Sequence, residues 1–116
     1  MAKRILIIDD DPVVVKYLTT LFAENDYETD SASNGVEGME KMKAAQPDLI
    51  TLDLEMPEEW GSRLYRKMSK DKELKDIPVI VISGMAGRHA VKSAVAYVAK
   101  PFDPDKLLGI VKKTIG

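Results

Sequence analysis

The chain has 116 residues, of which 45% are hydrophobic and 31% charged, with no cysteine and a formal net charge of -2 at pH 7. This length predicts one domain, residues 1–116, with one core, and the lack of cysteine excludes disulfides, thiol catalysis and zinc–thiolate sites. The net charge offers no overall basic field for nucleic acid, so we expect no nucleic-acid partner. No apolar run suits a signal peptide or a membrane span, so we expect a cytoplasmic protein that does not bind a membrane.

The first apolar run, residues 5–8, is typical of a strand buried on both faces, and it ends in Asp9, Asp10 and Asp11. Pro12 suits the first turn of a helix, and Asp11 suits its N-cap. Apolar residues at helical spacing predict the inner face of this helix. They are Val14, Leu18, Leu21 and Phe22.

The next segment alternates and is polar over residues 27–31, which predicts a short edge strand. Asn34 and Gly35 indicate a turn before a second helix, in which Glu37 and Lys41 have the spacing of an ion pair. The inner side of that helix is predicted to consist of Val36, Met39 and Met42.

A second buried strand is predicted at residues 49–52, running directly into Asp53. A helix is predicted over residues 61–70, with Leu64 and Met68 facing inward. The basic residues of residues 63–75 are interleaved with acidic ones, which favours a solvated face over a nucleic-acid patch.

Two further strands are predicted, at residues 77–82 and 95–99, and they end at Ser83 and Lys100. In a last helix, Asp103 suits the N-cap and Pro104 the first position. Its inward residues are predicted to be Leu107, Leu108, Val111 and Ile115.

Alternating strands and helices predict a doubly wound α/β fold with a five-stranded parallel sheet in the order 2-1-3-4-5. The carboxyl ends of parallel strands meet along one rim. Asp9, Asp10 and Asp53 would flank the switch point between strands one and three, and Ser83 and Lys100 would end the neighbouring strands.

Three crowded carboxylates repel one another and need a counter-charge, which a magnesium ion (Mg2+) can supply. Asp53 could attack a phosphoryl group to form an aspartyl phosphate, with Lys100 neutralising charge and Ser83 donating a hydrogen bond. Each residue also has a simpler interpretation: Asp53 as a turn cap, Asp10 or Asp11 as a helix cap, and Ser83 and Lys100 as turn and surface residues.

Together these residues resemble those of a response-regulator receiver domain of two-component signalling, over nearly the whole chain. The matching positions are Asp9-Asp10, Leu52-Asp53, Met56-Pro57, Gly61, Ser83 and Lys100-Pro101-Phe102. The resemblance implies a flavodoxin- or CheY-like fold and transfer of a phosphoryl group to Asp53 from a histidine kinase or histidine phosphotransfer protein, with an unknown downstream protein as output partner.

The resemblance also implies the roles of individual residues. Mg2+ would be held by Asp10, Asp53 and the backbone carbonyl of Glu55, with Asp9 acting through water. Tyr97 matches the switch aromatic of the family.

In that family the aromatic residue turns inward when the residue at the position of Ser83 moves toward the phosphoryl group. The Lys100–Pro101 peptide bond is expected to be cis. His89 has no role in receiver chemistry, and we expect a surface position for it.

The sequence departs from the family pattern at three places. Gly84 stands where the family more often has Ala, and Glu55 adds a fourth acidic side chain near the cation. Residues 84–94 are short for a crossover, so we expect a fourth helix of two turns or fewer and an altered output face.

We therefore expect a stand-alone phosphorylation switch without an output domain, which catalyses its own phosphorylation and dephosphorylation but is not a dedicated enzyme. One alternative is a receiver-like interaction module that is never phosphorylated. Another is a phosphatase of the haloacid-dehalogenase type. Such phosphatases have a pair of aspartates, which Asp53 and Glu55 of this chain resemble only superficially.

Overall fold

The computed structural model describes residues 2–84 and 94–116, which form a five-stranded parallel sheet in the order β2-β1-β3-β4-β5. The predicted fold class and strand order are therefore confirmed. The strands are β1 (Arg4–Ile8), β2 (Glu28–Ala32), β3 (Leu49–Leu52), β4 (Val79–Ser83) and β5 (Ala96–Ala99). The helices of the described residues are α1 (Pro12–Ala23), α2 (Gly35–Ala44), α3 (Trp60–Ser69) and α4 (Pro104–Ile115), with a 3-10 turn at Pro57–Glu59.

The core consists of two layers, one on each face of the sheet, because successive strand residues point to opposite faces. One layer joins the sheet to α2 and α3 and contains Ile8, Met42, Leu52, Leu64 and Met68. The other joins it to α1 and α4 and contains Ile7, Leu18, Phe22, Leu107 and Val111. The sheet is thus covered by helices on both faces, and the polar side chains that could bind a ligand lie at the ends of the strands.

The helix starts follow the local rules that the sequence indicates. Asp11 Oδ1 accepts a hydrogen bond of 2.9 Å from the Val13 N–H, and Pro12 is the first residue of α1. Asp103 caps α4 in the same way, with Pro104 as its first residue. These caps were predicted, and the structure confirms them.

The contacts of α2 differ from the prediction in two respects. Val36 does not face the core, because its side chain is 62% exposed. The helix instead approaches the sheet through Gly38, where a Cβ atom would lie 3.1 Å from Ile8 Cδ1. Lys41 does not pair with Glu37, since it reaches across to Asp30 on β2 at 3.0 Å.

Two predictions fall outside the described residues. The short fourth helix expected within residues 84–94 and the surface position expected for His89 both involve residues 85–93. Within the described ranges, no helix combines the length and apolar character that crossing a membrane requires.

Candidate phosphoacceptor site

Three polar residues that follow strands are held at one rim by the hydrogen bonds of the sheet itself. The Asp9 N–H donates to the Ala32 carbonyl at 3.1 Å, and the Asp53 N–H donates to the Ile8 carbonyl at 2.9 Å. On the other side the Lys100 N–H donates to the carbonyl of Ser83 at 3.1 Å. Backbone pairing thus continues one residue past β1, β3 and β5, which places Asp9, Asp53 and Lys100 at the same rim of the sheet.

The centre of the rim is a lysine between two buried carboxylates. Lys100 Nζ lies 3.1 Å from Asp9 Oδ2 and 3.6 Å from Asp53 Oδ1. Both aspartate side chains are 3% exposed, whereas that of Lys100 is 23% exposed. A buried charge requires a partner, and here one ammonium group serves two carboxylates.

Burial and neighbouring charges together set the pKa values of Asp53 and Lys100. Burial and, more weakly, the neighbouring charge of Asp9 raise the pKa of Asp53, which lies at about 6. The hydrogen bond from the Glu55 N–H and the charge of the Lys100 ammonium lower this pKa but do not outweigh burial. Burial alone would lower the pKa of Lys100, but its hydrogen bond to Asp9 and the nearby carboxylates outweigh that effect and raise it. The lysine is therefore charged near neutral pH.

A third carboxylate completes an acidic cluster. Asp10 is exposed, and one carboxylate oxygen from each of Asp9, Asp10 and Asp53 lies within 4.8 Å of the others. Such a set of hard oxygen donors fits Mg2+, which binds through one or two carboxylates together with water. Asp11 does not belong to this cluster, because its carboxylate caps α1.

The loop after β3 is folded tightly beneath the rim. The Glu55 N–H donates to Asp53 Oδ1 at 2.9 Å, which is the hydrogen bond of an Asx turn. At the start of α3, a Cβ atom on Gly61 would lie 2.5 Å from the carbonyl oxygen of Asp53 and 3.0 Å from Leu54 Cα. Gly61 therefore permits α3 to begin directly against the Asp53 loop.

Sequence reasoning missed the contact of the Glu55 side chain. Glu55 Oε1 accepts a hydrogen bond of 3.1 Å from Ser83 Oγ and a second from the Gly84 N–H. The resemblance assigned a role only to the backbone carbonyl of Glu55, and its side chain was predicted to lie near the cation as a departure from the family pattern. The sequence shows an acidic residue two positions after Asp53, which was the available signal for a second carboxylate near the site. It does not show that this carboxylate bonds to Ser83 on another strand.

The predicted switch residue lies on the outer strand. Tyr97, on β5, is registered opposite Val81 on β4, and its side chain is 38% exposed. The Lys100–Pro101 peptide bond is cis, as predicted. Beyond it, Phe102 packs edge-on against Tyr17 of α1, with ring centroids 5.7 Å apart.

Comparison with known proteins decides the family. The model of the response regulator receiver domain matches residues 5–112. The chain belongs to this family. It is therefore a receiver domain of two-component signalling, and receiver domains in general are signalling switches that interact with histidine kinases or phosphotransfer proteins and with downstream targets.

Individual relatives cover almost the whole chain. Protein Rrf1 of Nitratidesulfovibrio vulgaris is 37% identical over 99% of this chain and 84% of its own length. The polar-differentiation response regulator DivK of Brucella anthropi is 29% identical over 100% of this chain and 98% of its own. A CheY-like receiver domain protein of Methanospirillum hungatei has a solved structure with a TM-score of 0.87 and 28% identity, covering 99% and 94% of the two chains.

Proposed function

We propose that this receiver domain accepts a phosphoryl group on Asp53 and thereby shifts between two conformations that differ in partner binding. The observation that carries the proposal is the position of the Asp53 carboxylate, buried at the rim, 3.6 Å from Lys100 Nζ and within the acidic cluster. A buried carboxylate with an ammonium group beside it is suited to nucleophilic attack on a phosphoryl group, because the cation balances charge in the transition state.

The donor would be the phosphohistidine of a histidine kinase or phosphotransfer protein. An Asp53 carboxylate oxygen attacks the phosphorus and forms a P–O bond while the P–N bond to the imidazole breaks. The electron pair of that bond stays on the imidazole nitrogen, which takes up a proton from water. The aspartyl phosphate is hydrolysed when a water oxygen attacks the phosphorus and the P–O bond to Asp53 breaks, which restores the carboxylate and releases inorganic phosphate.

The other rim residues would position the phosphoryl group. Lys100, held by Asp9, would pair with one phosphoryl oxygen, and the Ser83 hydroxyl would donate a hydrogen bond to another. Tyr97 would then turn into the space that Ser83 leaves, which would carry the change to the outer strand.

A magnesium ion fits the acidic cluster and, when bound, would supply positive charge that neutralises the phosphoryl oxygens. The carboxylates of Asp10 and Asp53 and the backbone carbonyl of Glu55 would hold it, with Asp9 acting through water. The Asx turn at Asp53 supports this assignment, since it keeps the Glu55 backbone beside the cluster.

The test is incubation with a small phosphodonor and Mg2+, followed by intact mass measurement. We expect one added phosphoryl group that persists for minutes, and no addition to Asp53→Asn, a variant that we expect to remain folded. An unlabelled wild type would favour the interaction module that is never phosphorylated. Rapid donor turnover without a stable adduct would favour a phosphatase, and labelling of Asp53→Asn at another residue would refute the choice of acceptor.

A further inference from the structure

The Glu55 carboxylate holds two hydrogen-bond donors at the end of β4. One is the Ser83 hydroxyl, 3.1 Å from Glu55 Oε1, and the other is the backbone N–H of Gly84, which donates to the same oxygen. Ser83 itself is 5% exposed, so its hydroxyl has little access to water that could replace the carboxylate. A negatively charged oxygen thus already occupies this pair of donors.

We propose that the Glu55 carboxylate is an internal competitor of the phosphoryl group, because in the resting domain it holds the Ser83 hydroxyl that a phosphoryl oxygen on Asp53 requires after transfer. This inference rests on the proposed function, in which Ser83 donates to the phosphoryl group. The two anions compete because both require the Ser83 hydroxyl as a donor and because they repel each other at close range. Glu55 therefore has to release Ser83 before the phosphorylated state can form.

Gly84 provides the room for this contact. A Cβ atom on Gly84 would lie 2.8 Å from Glu55 Oε1, closer than such atoms approach in proteins. Its backbone does not demand glycine, because Gly116 is the only glycine with positive φ among the described residues. An alanine at this position would therefore keep the N–H donor while displacing the end of the flexible Glu55 side chain.

The consequence is that Glu55 weakens the binding of any phosphoryl-like anion. Beryllofluoride with Mg2+ is the probe, because it forms a tetrahedral adduct on a carboxylate without needing a kinase. We expect Glu55→Ala to bind it about tenfold more tightly than wild type, the effect of one or two released hydrogen bonds to a charged acceptor. Glu55→Gln, which loses the charge but retains an acceptor oxygen, should show a smaller gain.

Two further variants make the test specific. Gly84→Ala should also tighten binding, and the Glu55→Ala/Gly84→Ala double variant should gain no more than Glu55→Ala alone, because both changes remove the same contact. Glu40→Ala is the matched control, since it removes one negative charge from an exposed position on α2. Its affinity should equal that of the wild type.

A second measurement examines the resting protein without Mg2+ or beryllofluoride. In Glu55→Ala the amide proton signal of Gly84 should move upfield and its exchange with solvent should accelerate, whereas Glu40→Ala should leave both unchanged. An unchanged Gly84 amide, or equal beryllofluoride affinities for Glu55→Ala, Glu40→Ala and wild type, would overturn the inference alone. Failure of every protein, wild type included, to bind beryllofluoride or accept a phosphoryl group would overturn the proposed function and this inference with it.

Discussion

Two lysines contact aspartates at nearly the same distance in two different parts of the molecule. At the β2 edge, Lys41 Nζ lies 3.0 Å from Asp30 Oδ1, with side chains 34% and 53% exposed. At the functional rim, Lys100 Nζ lies 3.1 Å from Asp9 Oδ2, and Asp9 is 3% exposed. The comparison shows that burial, more than separation, decides the strength of an ion pair, because water screens the first pair more than the second, whose carboxylate is buried.

The aspartates of the two regions have pKa values that shift in opposite directions. Burial acts to raise the pKa of Asp30, but hydrogen bonds from Lys41 and from the Ser31 N–H outweigh it, and the pKa lies below its ordinary value. At Asp53 burial dominates, and the charge of Asp9 adds to it, so that the pKa rises to about 6. The edge region therefore favours the charged form of Asp30, whereas the surroundings of Asp53 disfavour its charged form.

The largest expected effect comes from removing each lysine. Lys100→Ala leaves Asp9 and Asp53 buried without their cation, and we expect the free energy of unfolding in EDTA at pH 7 to fall by about 3–5 kcal/mol. Lys41→Ala, the matched change at the exposed pair, should cost less than about 1 kcal/mol. Urea denaturation of both variants measures the difference. Equal losses would contradict the role given to burial.

The second prediction concerns pH and the same rim in the absence of metal. Because the folded-state pKa of Asp53, about 6, exceeds its ordinary value of 3.8, the folded protein binds this proton more tightly than the unfolded chain does. This carboxyl therefore lowers stability as pH rises from about 4 to about 6, and the loss is constant above that range.

Asp53→Asn lacks this titration, so its advantage over wild type should grow across the same interval, reaching at most about 3 kcal/mol. Denaturation in EDTA at several pH values is the measurement. An advantage that is constant from pH 4 to pH 7 would show that burial does not control this group.

The third prediction separates neighbours in the acidic run. Asp11→Ala removes the cap of α1 and should cost about 0.5–2 kcal/mol of stability, with little change in Mg2+ affinity. Asp10→Ala should leave stability nearly intact and weaken Mg2+ binding at least about tenfold, as expected for a ligand or its close support. Calorimetric Mg2+ titration and urea denaturation test both halves, and the reverse ranking would mean that the register of the run is wrong.

The smallest expected effect lies on β3, two residues before the acceptor. Among the buried side-chain polar atoms of residues 2–84 and 94–116, Thr51 Oγ1 is the one without a hydrogen-bond partner. Thr51→Val keeps the shape and removes the unsatisfied hydroxyl, so stability should stay equal or rise by about 1 kcal/mol. A thermal unfolding scan is sufficient to measure this, and a clear loss would indicate that the hydroxyl has a partner.

Much of the rim could be predicted because its rules are local. An apolar run that passes directly into Asp9 or Asp53 marks a strand end, and parallel pairing then brings strand ends together. The caps at Asp11 and Asp103 follow equally from short-range preferences. The roles of Ser83, Lys100 and Tyr97 in signalling remain predictions until phosphorylation is measured.

The sequence by itself determined the alternation of elements and the helix caps, since these depend on periodicity and on neighbours in the chain. The strand order and the set of polar groups at one rim then followed from the general rules for parallel sheets and their crossovers. Only the tertiary structure decided that Lys41 bonds to Asp30, that Val36 is exposed, and that the Glu55 carboxylate bonds to Ser83. Such contacts join residues on different elements, and packing, rather than any local preference, selects among several partners of similar chemistry.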